Sequence, residues 1–599
     1  MTPAFPEPIR LCWGLGFSPS AQGVLARLEQ AGVVQAVAGS GAVPDAATTL
    51  SQQWSLSAGF VVVGATGLVT RLVAPLLQHK LQDPPVVVVD PAGRFAIPLL
   101  GGHVAGAEAL SQRVAAILGG VAVLTGASSG TARLPLDSFG SAWGWRRGEG
   151  DWSGLMQRAA TDAPIALRQD GGSHRWRELE AARPLPLVAP DATGPVALVV
   201  GARLGPACRW HPPLLWIGVG CERGTSLELL ERAVDQALRE HGLAAEAVAG
   251  LATASRKADE PALLELAGRR CWPLRLFEPP ALASVVVPNP SAVVEVEMGT
   301  PSVAEAAALL AAGNGAGLLV PKRIEQRREA ERGAATVAIA EASSQWAPQR
   351  GHLHLVGSGP GRLDLLTPEA REVLGRCTVW VGYGLYLDLL EPLRRPDQLR
   401  LDGRLTQERE RCRQALELAC QGLPVALVSS GDSGIYAMAG LALELWLEQP
   451  VDGRPGFDVH PGLSALQLAA ARAGAPLMHD FCTVSLSDRL TPWPVIERRL
   501  QAAAAGDFVV ALYNPRSEGR DWQLGRAREL LLAGRSGTTP VAICRQLGRA
   551  QEQVSLHTLE TLPIGQVDML TLVLVGNTSS YVRDGRMVTP RGYPGSALS

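Results

Sequence analysis

The chain's 599 residues, 47% of them apolar, suffice for several hydrophobic cores, and at roughly 150 residues per domain they predict three to five domains. The 55 basic residues nearly balance 57 acidic ones, a formal charge of −2 that argues against a nucleic-acid partner, because such proteins carry a clear basic excess. Nine scattered cysteines with no Cys-x-x-Cys pair fit reduced thiols rather than a disulfide framework or structural zinc, and no apolar run approaches the ~20 residues of a membrane helix. Met1 to Arg10 has no signal pattern, so the expectation is a cytoplasmic protein with no membrane partner.

Strand-like apolar runs alternate with Ala/Leu/Glu/Arg-rich helical stretches from one end to the other. The runs fall at 60–64, 86–90, 196–200, 215–219, 425–429, 508–513 and 570–575, which is the signature of α/β domains with buried parallel strands. In the N-terminal half, Val63-Gly64-Ala65-Thr66-Gly67 and Pro98-Leu99-Leu100-Gly101-Gly102-His103 place glycine turns at strand ends. Gly106-Ala107-Glu108 then leads into a helix predicted over 109–118. Residues 133–211 show few strong periodic runs and hold five of the 14 tryptophans. A second block begins at Gly218-Val219-Gly220-Cys221. It continues through Lys257-Ala258-Asp259-Glu260-Pro261, Pro288-Asn289-Pro290 and Gly299-Thr300-Pro301-Ser302 to the helix that contains Glu305. A charged tract and a polar linker follow, and the cleanest boundary lies near Arg350.

After that boundary, a strand over 353–356 runs into Gly357-Ser358-Gly359-Pro360-Gly361. A dinucleotide site would need a helix starting on that loop and an acid about 20 residues on. Here the helix is predicted to start later, with Thr367 as N-cap and Pro368 first inside it, and no acid stands near Val379 to Tyr383. Further strand-to-small-residue junctions follow at Ser429-Ser430-Gly431-Asp432-Ser433-Gly434-Ile435-Tyr436 and at Val459-His460-Pro461-Gly462-Leu463-Ser464-Ala465. Then come Asp480-Phe481, Ser485 to Asp488, Leu512-Tyr513-Asn514-Pro515-Arg516-Ser517, Val575-Gly576-Asn577 and Val588-Thr589-Pro590-Arg591-Gly592-Tyr593. No cluster of His, Cys and Asp has convincing metal-ligand spacing, so no protein-bound metal is expected.

In this order, the stretches from 352 to 593 resemble the tetrapyrrole methyltransferases, and among them the precorrin-3B C(17), or cobalt-factor III, methyltransferases. Residues 58–128 and 214–341 resemble cobalt-precorrin-5A hydrolases. The implied fold class is α/β and multidomain: two hydrolase-like α/β domains, 1–132 and 212–345, around a middle or linker region at 133–211. A two-subdomain methyltransferase at 351–599 follows, with subdomains of about 351–470 and 471–593.

The methyltransferase resemblance implies S-adenosyl-L-methionine as cofactor. Gly357, Gly359 and Pro360 of the first loop would hold it, with Gly431, Asp432, Ile435 and Tyr436 of the second and Ser464 and Ala465 of the third. Leu512, Ala542 and Thr571 would add contacts from the second subdomain, with Ile435 and Leu512 sandwiching the adenine. Arg362 stands where the family often carries an acid. Methyl transfer mostly asks for positioning and desolvation. Asp480, Asp488, Tyr513 and Asn514 are candidates for the acid–base work of ring contraction, and Arg489, Arg516, Arg520, Arg545 and Arg591 for the substrate's carboxylates. For lactone opening the candidates are His103, Glu108, Lys257 and Glu305. The implied partners are tetrapyrrole or corrin intermediates, any cobalt travelling with the substrate, and a second copy of the chain through the methyltransferase domain. The competing reading keeps the methyltransferase and makes residues 1–345 a non-catalytic module that binds corrin intermediates.

Overall fold

The structure, a computed structural model, describes residues 12–36, 46–78, 82–102, 105–124, 133–190, 196–404, 406–517 and 519–593. Five large sheets follow one another along the chain. The first holds β1 (Cys12–Gly16), β2 (Val34–Ala36), β3 (Phe60–Val63), β4 (Val86–Val89), β5 (Phe95–Leu100) and β6 (Val121–Ala122), in the order β2-β1-β3-β4-β5-β6. The second holds β7 (Arg146–Arg147), β8 (Ile165–Gln169), β9 (Leu187–Val188), β10 (Leu198–Val200) and β11 (Cys208–His211), ordered β7-β11-β10-β8-β9. The third is β14-β13-β12-β16-β15, from β12 (Leu215–Cys221), β13 (Val248–Ala254), β14 (Leu274–Phe277), β15 (Gly317–Gln326) and β16 (Ala334–Glu341).

The C-terminal part divides in two. Its first sheet is wholly parallel, β19-β18-β20-β17-β21, from β17 (His352–Gly357), β18 (Val379–Tyr383), β19 (Leu399–Gly403), β20 (Pro424–Ser429) and β21 (Gly456–His460). The short β22 (Gly474–Ala475) pairs with β29 (Arg586–Val588), which also pairs with β28 (Tyr581–Arg583). Between them lies the mixed sheet β23-β24-β27-β25-β26, from β23 (Phe481–Ser485), β24 (Val509–Tyr513), β25 (Pro540–Arg545), β26 (Gln553–Thr558) and β27 (Thr571–Val575). The apolar runs read from the sequence become the central strands β3, β4, β10, β12, β20, β24 and β27, because covered strands bury both faces. Thr367 caps the helix Pro368–Arg376 through its hydroxyl, as predicted.

Helix packing depends on small residues where backbones meet. The helix Ala304–Ala312 lies so close over β12 that a Cβ on Gly218 would fall 1.8 Å from the Ala304 carbonyl oxygen. An alanine-rich helix over a glycine strand is thus a single packing solution.

Residues 134–190 and 196–211 form a folded unit that shares one core with the parallel sheet of the C-terminal part. Trp143, Trp145, Trp152, Trp176 and Trp210 bury around Phe139, and the same cluster continues into Leu353, Leu355, Val425 and Leu427. Each such side chain contributes about 1.5–3 kcal/mol on burial. Gln345 locks the junction. Its Oε1 accepts from the Trp145 indole at 2.6 Å, and its Nε2 donates to the Trp143 and Gln421 carbonyls at 2.8 and 2.7 Å. Among the described residues no helix is long and apolar enough to cross a membrane.

Candidate active sites

Three turns meet at the carboxyl ends of β17, β20 and β21. Gly359 and Gly431 exchange backbone hydrogen bonds at 3.1 and 2.8 Å, closing the first turn on the second. Gly357 and Gly462 touch backbone to backbone: a Cβ on Gly462 would lie 2.1 Å from the Gly431 oxygen and 2.7 Å from the Gly357 carbonyl carbon. Asp432 links the second and third turns, its Oδ1 accepting from Gly434 N at 2.8 Å and its Oδ2 from Gly462 N at 3.1 Å. Gly359 and Gly431 have φ of 68° and 66°, the left-handed region that favours glycine. Space beside Gly431 is open, its nearest neighbour from a Cβ being Ala465 N at 3.8 Å. Ser464 caps the helix Ala465–Ala473 in a reciprocal box with Gln467.

The second subdomain closes against these turns. Pro360 and Gly361 lie against Gly548, and the helix Ala465–Ala473 packs on Ala511, Ala542 and Leu574. Ile435 and Tyr436 remain 38% and 51% exposed at the opening. Tyr436 holds φ 50°, donates its hydroxyl proton to the Thr483 carbonyl at 3.0 Å, and packs on Tyr513 with ring centroids 5.1 Å apart. The Tyr513 hydroxyl accepts from Leu466 N at 3.2 Å, and burial pushes its pKa upward. Asn514 also has positive φ, 50°, and its amide donates to Ser485 Oγ at 3.0 Å.

Not every expected contact assembles. Leu512 alternates away from Ala511 and Tyr513, into the core with Val484, Ile496 and Val573, so its side chain does not face Ile435 and the adenine sandwich is corrected. Ala542 is fully buried beneath the helix Ala465–Ala473. Thr571 donates its hydroxyl proton to Asp568 at 2.6 Å, and the same carboxylate takes Arg545 at 3.0 Å. Asp480 precedes β23, beside Val509 at the start of β24, whereas Ser485, Tyr513 and Asn514 lie at the far ends of those parallel strands. A five-residue strand spans roughly 16 Å, so Asp480 does not join the Tyr513 group. Asp488 accepts from Gln523 at 3.0 Å and acts electrostatically on Arg520, as does Arg489. Arg520 donates to the Asn514 carbonyl at 3.0 Å and Arg516 to Ile564 at 3.2 Å, while Arg489 and Arg591 are exposed. Arg362 pairs with Asp364.

In the N-terminal half, Glu108 sits in the first turn of the helix Ala107–Leu118, buried beside Gly102. His103 lies outside the described residues. A second polar group forms after β12 and β13. Glu260 is 1% exposed; its Oε1 accepts from Gly224 N at 2.9 Å, and its Oε2 has no hydrogen bond, with Arg223 at 3.8 Å. Lys257 is buried nearby, and Lys257, Glu260 and Arg223 all act on the Cys221 thiol, which burial raises to about 11. Glu305 is separate and committed: its fully buried carboxylate accepts from Asn289 N, Asn289 Nδ2 and Lys322 N at 3.2, 2.8 and 2.9 Å. That geometry makes it a clamp between the segment at 288–291 and β15.

Comparison with known proteins fits this layout. Residues 352–563 match the Tetrapyrrole (Corrin/Porphyrin) Methylases, 215–340 the Cobalamin synthesis G C-terminus, and 48–129 the Cobalamin synthesis G N-terminal family. A Salmonella typhimurium protein named "Probable cobalt-factor III C(17)-methyltransferase" is 49% identical over 241 residues, 40% of this chain and 99% of that one. The "Precorrin-3B C(17)-methyltransferase" of a Sinorhizobium species is 41% identical over 253 residues, 41% of this chain and 99% of its own length. The chain belongs to the tetrapyrrole methylases. The crystal structure of the methyltransferase CobJ is 37% identical and covers 40% of this chain and 100% of that chain, at a TM-score of 0.39.

Within this methylase, three residues of the candidate sites escaped the sequence reading. The Ser429 and Ser433 hydroxyls are buried in the second turn without hydrogen-bond partners, and Glu260 has its orphan oxygen. Glu260 had one signal, an acid immediately before a proline at a helix start. The two serines had none beyond their place in the turn.

Proposed function

We propose that residues 352–593 transfer a methyl group from S-adenosyl-L-methionine to carbon 17 of precorrin-3B or cobalt-factor III, with contraction of the ring, and that the cobalamin synthesis G domains open the δ-lactone of cobalt-precorrin-5A and release acetaldehyde. The observation that carries the reading is identity across nearly the full length of relatives named for carbon-17 methylation. The cleft fits the cofactor: glycine turns with open space at Gly431, buried serine hydroxyls lacking partners, and an exposed apolar edge at Ile435.

When bound, S-adenosyl-L-methionine supplies an electrophilic methyl on sulfur. Asp432 keeps the second and third turns together so that their amides and carbonyls present a preformed cradle. The helix Ala465–Ala473 and Pro360 against Gly548 exclude water from the inner end. The Tyr513 hydroxyl, packed beside Tyr436 at the opening, can donate to a substrate oxygen. Arg489 and Arg520 offer cationic groups to substrate carboxylates beside it.

In the other half, water adds to the lactone carbonyl and the acyl C–O bond breaks. Cleavage of the extruded carbon from the ring then releases acetaldehyde, its bonding pair staying on the ring and taking up a proton. Glu260 is the group whose free oxygen can position the attacking water, with Arg223 and Lys257 nearby to steady the oxyanion. The assembly we propose is a homodimer through the methylase domain, acting in the cytoplasm on corrin intermediates, with cobalt carried by substrate.

The test is mass spectrometry of the full chain with S-adenosyl-L-methionine and cobalt-factor III. A product heavier by one methyl, with S-adenosylhomocysteine formed, is expected. Cofactor binding without methyl transfer to either metal-free or cobalt substrate would overturn the carbon-17 assignment. Supplying cobalt-precorrin-5A and trapping acetaldehyde tests the lactone half, and sedimentation tests the dimer.

A further inference from the structure

The face of the parallel methylase sheet turned away from the tryptophan core carries polar side chains that neither reaction uses. His352 and His354 are two residues apart on β17 and so share a face, while Leu353 and Leu355 enter the core behind. Asp458 and His460 do the same on the edge strand β21, in register with His354 and Val356. The His352 and His354 rings stack, centroids 4.0 Å apart and planes at 6°. Gly456, opposite His352, leaves the room: a Cβ there would fall 2.3 Å from His352 Nδ1.

The hydrogen bonds set the tautomers. His460 Nδ1 lies 2.6 Å from Glu369 Oε1, and His460 Nε2 lies 3.0 Å from His354 Nδ1. With neutral rings, His460 donates to the carboxylate from Nδ1 and keeps a lone pair on Nε2. His354 must then donate from Nδ1, which leaves its Nε2 as a lone pair. A carboxylate holding an imidazole in one tautomer is how metal-binding histidines are oriented. At the partly exposed mouth, Asp458 Oδ2 is 2.8 Å from His352 Nε2 but lies off the N–H direction, and Nε2 makes no hydrogen bond. One ligand atom from each of His352, His354 and Asp458 lies within 4.8 Å of the others.

We propose that His352, His354 and Asp458 bind a first-row divalent transition-metal ion, of the zinc or cobalt(II) type, which pins the edge strand β21 to β17. Two imidazoles and one carboxylate select that class over magnesium or calcium, which take oxygen ligands. Because the stacked rings run parallel, ligation requires the His352 ring to rotate about its side-chain torsions, exchanging its 2.8 Å contact with Asp458 Oδ2 for the ion so that both in-plane lone pairs converge. The site is structural: β21 leads directly into the turn at 461–465 that closes the methylase cleft. His354, 3% exposed, forms its floor, and His352 and Asp458, 35% and 56% exposed at their side chains, form its entrance.

The test uses the tag-free full chain, stripped with chelator and titrated with cobalt(II). Expected are saturation at one ion per chain with visible d–d absorption, displacement by zinc, and a higher melting temperature. Asp458→Asn and His352→Gln, both at the exposed entrance, should each weaken binding at least 10-fold, and Glu369→Gln by about 10- to 100-fold. The apo variants should melt near the apo wild type, which separates lost ligation from lost folding. No saturable binding, or binding that all three variants leave unchanged, would overturn the proposal and leave a hydrogen-bonded imidazole cluster only. Equal affinity for magnesium would overturn the metal class.

Discussion

Asp432 accepts the backbone N–H of Gly462 across 3.1 Å, from one strand-end turn to the next. The same carboxylate accepts Gly434 N within its own turn at 2.8 Å. One acid thus shapes a turn and fastens it to its neighbour, so its contribution to cofactor binding acts through backbone position.

Asp432→Asn keeps the volume but leaves one of the two amides facing an NH₂ group. Losing a hydrogen bond to a charged acceptor costs about 1.5–3 kcal/mol. S-adenosyl-L-methionine affinity should fall by roughly 10-fold or more, read by calorimetry, with a lower melting temperature of the methylase. Unchanged affinity would show that the turns hold without the carboxylate.

Gly462→Ala puts a methyl 2.1 Å from the Gly431 oxygen, a contact made with backbone that has nowhere to retreat. The three turns must separate. Cofactor binding should be lost while far-ultraviolet circular dichroism is kept, and Gly440→Ala, a helix position with open space around it, serves as the control that binds normally.

Glu260→Gln conserves the bond to Gly224 N and removes the charge from the orphan oxygen. Acetaldehyde release should drop about 100-fold or more, the size of a general-base contribution, while methyl transfer by the same polypeptide continues. Full lactone opening by the variant would remove Glu260 from the reaction.

Arg232 holds Glu331 at 2.7 Å and Glu325 at 2.8 Å, and the hydrogen bond from Arg232 lowers the Glu331 carboxyl from 4.5 to about 2. A lowered folded pKa gives stability that is present above pH 4.5 and lost as pH falls toward 2. Glu331→Gln should melt lower than wild type near neutrality, and the gap should close on acidification through that window. A gap independent of pH would mean the pair contributes by packing alone.

Gln345→Ala removes both partners of the Trp145 indole and the Gln421 carbonyl in a buried seam. Unsatisfied buried groups cost about 1–3 kcal/mol each. Limited proteolysis should then cut the 342–351 connection between β16 and β17 well below the melting temperature, where wild type resists.

The glycine turns were legible because the signal is local: a buried strand ending in residues without side chains is written in consecutive letters, and Thr367-Pro368 likewise announces its helix. The reading of Leu512 failed for a local reason too. Strand alternation assigns faces only once it is known which face meets the other subdomain, and Ala511 and Tyr513 took that face. Asp480 looked close to Asp488 in sequence, but a strand of five residues runs between them.

The α/β alternation, the strand-end turns and the family motifs are written in neighbouring letters, as is the lack of a long apolar run, because backbone sterics and hydrophobic period act over adjacent residues. Long-range packing was needed to show that the tryptophan unit shares a core with the methylase sheet, that Glu260 is buried with an oxygen lacking a hydrogen bond, and that His352 and His354 meet Asp458. Those relationships join residues dozens to hundreds of positions apart. Parallel strand register sets the histidine–aspartate group and packing of one sheet on another sets the shared core, and no spacing along the chain records either.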